Sequence, residues 1–345
     1  MDEMSNYQRD ILNAAMAELP WEKISGKNIL VTGATGLVGG AVVEVLMSRP
    51  EIDFHVYASG RNKERFEKRF EKYKDSECLH FLQYDVTRPL EGNIDFHFMI
   101  DAASGANPKE YATNPVGVMK ANIYGVDNLL TYGKKHHLEK FVFVSSGEVY
   151  GEGDGRVFTE EYSGYVDCTS PRSCYPSSKR ASETLCVSYA VQYGINVSIA
   201  RLTHVYGPHF TESDTRVYAQ FIRNVLNNED IVMKSTGEQF RSWSYVVDCA
   251  SALLYILLKG ENGEAYNVAD EKSNISIREL AETIAVIGGK KVVIDLPDDA
   301  ERRGYNVVTK SVFSTDKVVK LGWFPVTHLN EGIMNTISEI ESNYR

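Results

Sequence analysis

The sequence is short of three things, and each shortage closes off a class of function. Cysteine is scarce: Cys78, Cys168, Cys174, Cys186 and Cys249 are five among 345 residues, an odd number without C-x-x-C spacing. Neither a disulfide framework nor a zinc site is supported, no metal is expected, and the cytoplasm is the natural compartment. Long apolar runs are missing, so no segment reaches membrane-spanning length, and the opening MDEMSNYQRD is too acidic and polar to resemble a secretory signal. Positive charge is in deficit, with 37 Lys and Arg against 47 Asp and Glu and a formal net charge of -10. That balance argues against nucleic acid or an anionic membrane as partner. Any anionic ligand must be gripped by a few local arginines.

What is present suffices for a large core. With 43% hydrophobic and 24% charged residues, the chain should form one or two globular units. Strands are predicted near Asn28–Thr32, His55–Ala58, Leu79–Gln83, His97–Asp101, Phe141–Val144 and Val197–Arg201, alternating with helices. Such alternation with short connections means a parallel, doubly wound sheet. Beyond Tyr206 the chain becomes turn-rich, with helices predicted at Val217–Leu226, Cys249–Leu258, Ile277–Ile287 and Leu329–Ile340. The expected fold class is α/β, a Rossmann-type sheet with a smaller C-terminal α/β substrate-binding cap. Residues 1–25 should form a helical extension (Ile11, Leu12, Ala15, Met16, Leu19), 26–205 the Rossmann-type domain, and 206–345 mainly the cap, with some segments returning to the first domain.

Two stretches carry chemistry. In KNILVTGATGLVGG a short apolar strand runs into Gly33, Gly36 and Gly39, and a helix begins at Leu37. Residues without a Cβ let the backbone turn sharply against a pyrophosphate, and the helix's free N–H groups then face it. Gly33, Thr35, Gly36, Leu37, Val38 and Gly39 are the candidate dinucleotide contacts, spaced G-x-x-G-x-x-G. In KFVFVSSGEVYG a buried strand ends in Ser145, Ser146, Gly147 and Glu148, on the rim where doubly wound folds bind ligands. Tyr175 and Lys179, four apart at the start of a helix, point to one face. An ammonium near a phenol favours phenolate, so Tyr175 is the candidate general base, and Ser145 or Ser146 would hydrogen-bond the reacting oxygen.

With these motifs the chain resembles the extended short-chain dehydrogenase/reductase family: epimerases, dehydratases and decarboxylases of nucleotide sugars. Further matches are Asp85-Val86, Ala102-Ala103-Ser104 after the fourth strand, Asn122 in NIYG, Tyr206-Gly207-Pro208, Arg241 in FRSWSYVVD, and Arg302-Arg303-Gly304-Tyr305. The resemblance assigns Asp85, Val86, Ala102, Ala103, Ser104, Asn122, Tyr175 and Lys179 to an NAD or NADP site, and His204, Arg241, Arg302 and Arg303 to a nucleoside diphosphate sugar. It also implies a homodimer through the helices after Asn114 and after Tyr175. Its decarboxylase branch is similar around SPRSCYPSSKRASET.

Two departures sharpen the expectation. The second strand ends YASGRN without the carboxylate that usually grips the adenosine ribose, while Ser59 and Arg61 could receive a 2′-phosphate, which tilts the choice toward NADP. In the dehydratases of this family the hydroxyl residue is followed by Asp-Glu, whereas here Ser146 is followed by Gly147-Glu148. Oxidation at C4 of the sugar followed by decarboxylation or epimerisation is therefore expected before 4,6-dehydration, with Glu148 acting near C5. A net NADPH-dependent ketoreductase and a non-catalytic nucleotide sensor remain the alternatives.

Overall fold

The structure, a computed structural model, describes residues 4–212, 214–296 and 310–343. The chain opens with α1 (Asn6–Ala15), whose Ser5 and Gln8 form a capping box. It then alternates through β1 (Lys27–Thr32), α2 (Leu37–Met47), β2 (Phe54–Gly60), α3 (Lys63–Arg69), β3 (Leu79–Gln83) and β4 (Phe98–Asp101). Two helices, α4 (Pro108–Thr113) and α5 (Pro115–Gly133), precede β5 (Lys140–Ser146), α6 (Cys174–Tyr193) and β6 (Val197–Leu202). There follow β7 (His204–Tyr206), α7 (Val217–Leu226), β8 (Ile231–Met233), β9 (Phe240–Tyr245), α8 (Val246–Lys259) and β10 (Glu264–Val268). The last elements are β11 (Asp270–Ser276), α9 (Ile277–Ile287), β12 (Val292–Ile294), β13 (Lys310–Ser311), α10 (Asp316–Val319) and α11 (Leu329–Asn343).

Among the described residues the main sheet has seven strands in the order β10-β6-β5-β4-β1-β2-β3, every pairing parallel. Strands buried on both faces read as continuous apolar runs, and Ile29, Leu30 and Val31 of β1 are fully buried. One face packs with α1, α2, α8 and α11, and the other with α5 and α6. Strand order reverses between β1 and β4, and that switch point opens a crevice at the carboxyl ends of the strands. Beyond β6, β7 and β13 pair in parallel with β9, β11 pairs antiparallel with it, and β8 pairs with β12.

Three details differ from the sequence reading. Strand β10 was not predicted; EAYNV is short, buries only Tyr266, Asn267 and Val268, and joins the sheet as an edge. Helix α8 starts at Val246, earlier than expected, and returns with β10 to the layers of the main sheet. In α1 the buried stripe is Tyr7, Ile11 and Ala15, while Met16 lies past the helix end and is exposed.

Candidate active site

The glycine turn is built by exclusion. Gly33 has φ +62°, and a Cβ there would lie 2.6 Å from the carbonyl oxygen of Ala102. A Cβ on Gly39 would lie 2.5 Å from the Gly33 oxygen. These two glycines let β1, the loop after β4 and α2 close on one another. Gly36 differs: its amide bonds to the Gly33 oxygen at 2.9 Å, and an added Cβ would meet only that oxygen, at 3.1 Å. As N-cap of α2, Gly36 supplies no side-chain cap, so the first-turn N–H groups of Leu37 and Val38 face the crevice uncapped. The arrangement fits a pyrophosphate, which needs those donors and a bare backbone.

At the adenosine end, the Ala34 amide donates to the Ser59 carbonyl at 3.1 Å, and Thr35 packs over Gly60. Ser59 is buried and Arg61 exposed. Asp85 is exposed, with its carboxylate accepting from the amide and hydroxyl of Thr87, which hold its pKa below the usual range; Val86 packs under Gly125. On the other side Thr32 Oγ1 bonds Asp101 at 2.6 Å and accepts from the Ala103 amide at 3.2 Å. Ser104 donates to Asn122 at 2.9 Å, Asn122 donates to Ser178 at 2.9 Å, and Ser178 donates to the Tyr175 carbonyl at 3.1 Å. A hydrogen-bonded chain thus ties the β4 loop to the first turn of α6. Sequence reading missed Ser178 because its part in the chain is played across three elements.

Successive residues of a strand face opposite sides, and this separates the two serines. Ser145 donates to Glu183 at 2.5 Å, and Glu183 is held by Arg201 at 2.7 Å. Ser145 therefore belongs to a buried polar cluster and does not reach Tyr175. Ser146 lies on the other side, where its hydroxyl favours the ionised form of the Tyr175 phenol. Its Oγ also accepts from the Glu148 amide at 3.2 Å, shaping the turn that presents Glu148.

Tyr175 and Lys179 share a face of α6, yet the ammonium does not sit beside the phenolic oxygen. Lys179 Nζ donates to the Val144 carbonyl at 2.8 Å and lies 5.8 Å from the centre of the Tyr175 ring. Burial pushes the Lys179 ammonium down to about 8, opposed by the Asp101 and Glu183 carboxylates. The phenol is also governed by burial, which pushes it up to about 12 against the Ser146 hydrogen bond. Glu148 raises it further, and Arg216 and Arg172 lower it. The expected ammonium-driven depression is absent in this conformation because desolvation outweighs every nearby charge.

At Gly147, where the sequence departs from the dehydratase pattern, an added side chain would meet a buried ring. A Cβ at Gly147 would come 2.2 Å from Cζ of Phe313, a buried ring. Glu148 is bound through both carboxylate oxygens to Arg172 Nη2, at 2.8 and 2.9 Å. The Arg172 guanidinium lies over the Tyr111 ring at 4.8 Å, and Tyr111 stacks on Tyr175 at 4.9 Å. Neither Arg172 nor Tyr111 was assigned from the sequence, although Arg172 stands in the SPRSCY segment that carried the family likeness.

Farther out, the His204 ring borders the cleft against Trp243, 5.2 Å away. His204 is exposed at the start of β7, and desolvation of its inner edge with the cations Arg241 and Arg216 lowers its pKa. Arg241 is buried in β9, donating to the Phe240 carbonyl at 2.9 Å, and burial lowers it to about 10. Arg216, also missed, is held by Asp214 at 2.5 Å. Arg302 and Arg303 lie outside the described residues. A groove between α6 and β10, lined by Val187, Val191 and Ala265 among others, contains neither Tyr175 nor Ser146.

Against known proteins, a profile of the NAD dependent epimerase/dehydratase family matches residues 29–269. The chain belongs to that family. Among curated members of similar sequence, UDP-glucuronic acid decarboxylase 6 of Arabidopsis thaliana is 33% identical over 316 residues, covering 90% of this chain and 87% of the relative. UDP-glucuronic acid decarboxylase 1 of Xenopus tropicalis is 31% identical over 315 residues, covering 90% and 71%. In fold, this epimerase/dehydratase chain is similar to UDP-glucose 4-epimerase from Thermotoga maritima, with TM-score 0.77, 24% identity, and 92% and 100% of the two chains covered. The dTDP-glucose 4,6-dehydratase of Bacillus anthracis, solved in complex with NAD, gives TM-score 0.75 at 23% identity, covering 92% and 97%. Among the described residues of this family member, no helix is long and apolar enough to cross a membrane.

Proposed function

We propose that the protein removes the carboxyl group of a nucleoside diphosphate uronate, working through a transient 4-keto sugar. The observation that carries this reading is Gly147: Tyr175, Ser146 and Glu148 supply groups for oxidation at C4 and chemistry at C5, while Phe313 fills the place of a dehydration acid. The decarboxylase names of relatives at 31% and 33% identity support the same choice.

Gly33, Gly36, Leu37 and Val38 would hold the cofactor's pyrophosphate, Ser59 and Arg61 its adenosine end, and Ala102–Ser104 with Lys179 its nicotinamide end. The bound nicotinamide supplies a reversible acceptor for the hydride on C4. Tyr175 receives the 4-hydroxyl proton, and Ser146 hydrogen-bonds the same oxygen. With C4 a ketone, the carboxylate is β to a carbonyl; the C5–C6 bond breaks, its electron pair enters an enolate at O4, and carbon dioxide leaves. The Tyr175 and Ser146 hydroxyls stabilise that oxyanion. Glu148 guides a proton to C5, and return of the hydride to C4 and of the Tyr175 proton to O4 completes the cycle. One proton is taken up overall and no cofactor is consumed.

Incubation with UDP-, dTDP-, CDP- and GDP-sugars, uronates included, is expected to give a product lighter by one carbon dioxide in mass spectrometry. Loss of water, or isomerisation at constant mass, would overturn decarboxylation, and stoichiometric loss of NADPH would mark a ketoreductase. The same incubations run with NAD and with NADP test the adenosine end. Ser59 and Arg61 favour NADP, and turnover supported by NAD alone would reverse that choice.

A homodimer through α5 and α6 is also proposed. Val116, Met119 and Tyr124 on α5, and Val187, Val191 and Tyr193 on α6, expose apolar surface on adjacent helices. Sedimentation at micromolar concentration is expected to give twice the chain mass, and a monomer would reject the pairing.

A further inference from the structure

We infer that Arg172 is a specificity-determining residue that reads an anionic group on C5 of the sugar, an inference that rests on the decarboxylase reading above. Arg172 sits on the short turn Pro171–Ser173 that leads into α6. It spends a single nitrogen, Nη2, on both oxygens of Glu148. Its Nε and Nη1 make no hydrogen bond among the described residues, and the side chain is 45% exposed. A guanidinium with two unused donors at the edge of a cleft is shaped to take a second carboxylate or phosphate.

Its place is set by a column of flat groups. Arg172 lies over Tyr111, and Tyr111 is stacked on Tyr175, whose phenol would meet O4 of the sugar. The substituent on C5 is the neighbour of that oxygen on the sugar ring, and Glu148 stands on the same side, raising the Tyr175 phenol while Arg172 lowers it. A sugar carboxylate entering here approaches the Glu148 carboxylate. Two anions side by side repel unless a cation lies between them, and Arg172 already holds one of the pair. A neutral hydroxymethyl group on C5 gains nothing from that cation. The Arg172–Glu148 pair therefore sorts acidic sugars from neutral ones, and after carbon dioxide departs the product loses its hold on the guanidinium.

The test is calorimetric titration of the cofactor-loaded protein with UDP-glucuronate and with UDP-glucose. Wild type is expected to prefer the uronate. Arg172→Met should weaken uronate binding roughly 10- to 100-fold, the range for hydrogen bonds to a charged group, and leave UDP-glucose binding within about twofold. Arg172→Lys keeps the charge without the fork and should fall between. Equal losses for both sugars would make Arg172 a structural residue and overturn the inference, as would an unchanged preference in Arg172→Met. Wild type that releases carbon dioxide while Arg172→Met keeps its preference defeats this inference alone. Wild type that neither binds nor decarboxylates a uronate defeats it together with the proposed function.

Discussion

Tyr175→Phe is expected to reduce turnover by about 10²- to 10⁴-fold, the usual worth of a positioned acid-base group, with the protein still folded and cofactor affinity within a few-fold. The substitution removes one oxygen and keeps the ring, so stacking on Tyr111 at 4.9 Å and burial in α6 persist. The backbone carbonyl of Tyr175 still accepts from Ser178, and the chain through Asn122 to Ser104 stays closed. Ser146 retains the bond from the Glu148 amide. What is removed is proton transfer at O4 and the hydroxyl that would stabilise the enolate oxygen. Release of carbon dioxide under saturating substrate, with thermal unfolding and cofactor titration as controls, checks the expectation. Turnover within threefold of wild type would remove Tyr175 from the reaction.

The phenol's starting point bears on this result. Held up at about 12 by burial, Tyr175 is a neutral donor at neutral pH, not a standing phenolate. It becomes a base only when positive charge is brought closer than it now is. Lys179, on the same face of α6, can supply it once its ammonium leaves the Val144 carbonyl. Tyr-x-x-x-Lys spacing guarantees a common helix face; it does not fix where a four-carbon side chain ends.

That limit describes what was and was not legible beforehand. Buried parallel strands announce themselves, because runs such as NILVT and FVFV have nowhere else to go, while β3, a mixed and half-buried LHFLQ, keeps the expected bounds Leu79–Gln83. The glycine turn is equally plain, since its conformation is demanded locally. Strand β10 was invisible because its place is set by pairing with β6 and not by its own pattern. Which serine faces the phenol depends on strand phase, which the doublet Ser145-Ser146 leaves open until β5 is paired. The blocked position at Gly147 depends on Phe313, 166 positions along the chain, and no local signal links them. Arg172 could be seen only as part of a family-like segment; its bond to Glu148 and its stacking on Tyr111 exist in three dimensions alone.

Two substitutions in the glycine turn should part company in their effects. Gly33→Ala puts a Cβ 2.6 Å from the Ala102 oxygen and 2.9 Å from the Ala103 Cα, both backbone atoms that cannot swing aside. Ala103 is further anchored by its amide to Thr32 Oγ1, itself bonded to buried Asp101. A left-handed conformation in an L-residue adds roughly 1–2 kcal/mol, and forced overpacking adds roughly 1–3 kcal/mol. Gly33→Ala is thus expected to lower stability by about 3 kcal/mol and to weaken cofactor binding by about 100-fold or more, since both walls of the crevice must move. Gly36→Ala has a normal backbone angle and a single contact at 3.1 Å, so its stability should stay near wild type. Its methyl group nonetheless projects beside the uncapped N–H groups of α2, where a pyrophosphate would lie, and cofactor affinity should fall with little change in unfolding temperature. Unfolding of the cofactor-free variants and titration with the dinucleotide separate the two effects. Wild-type affinity in both variants would mean that the turn closes the fold and holds no phosphate, and the crevice would lose its assignment.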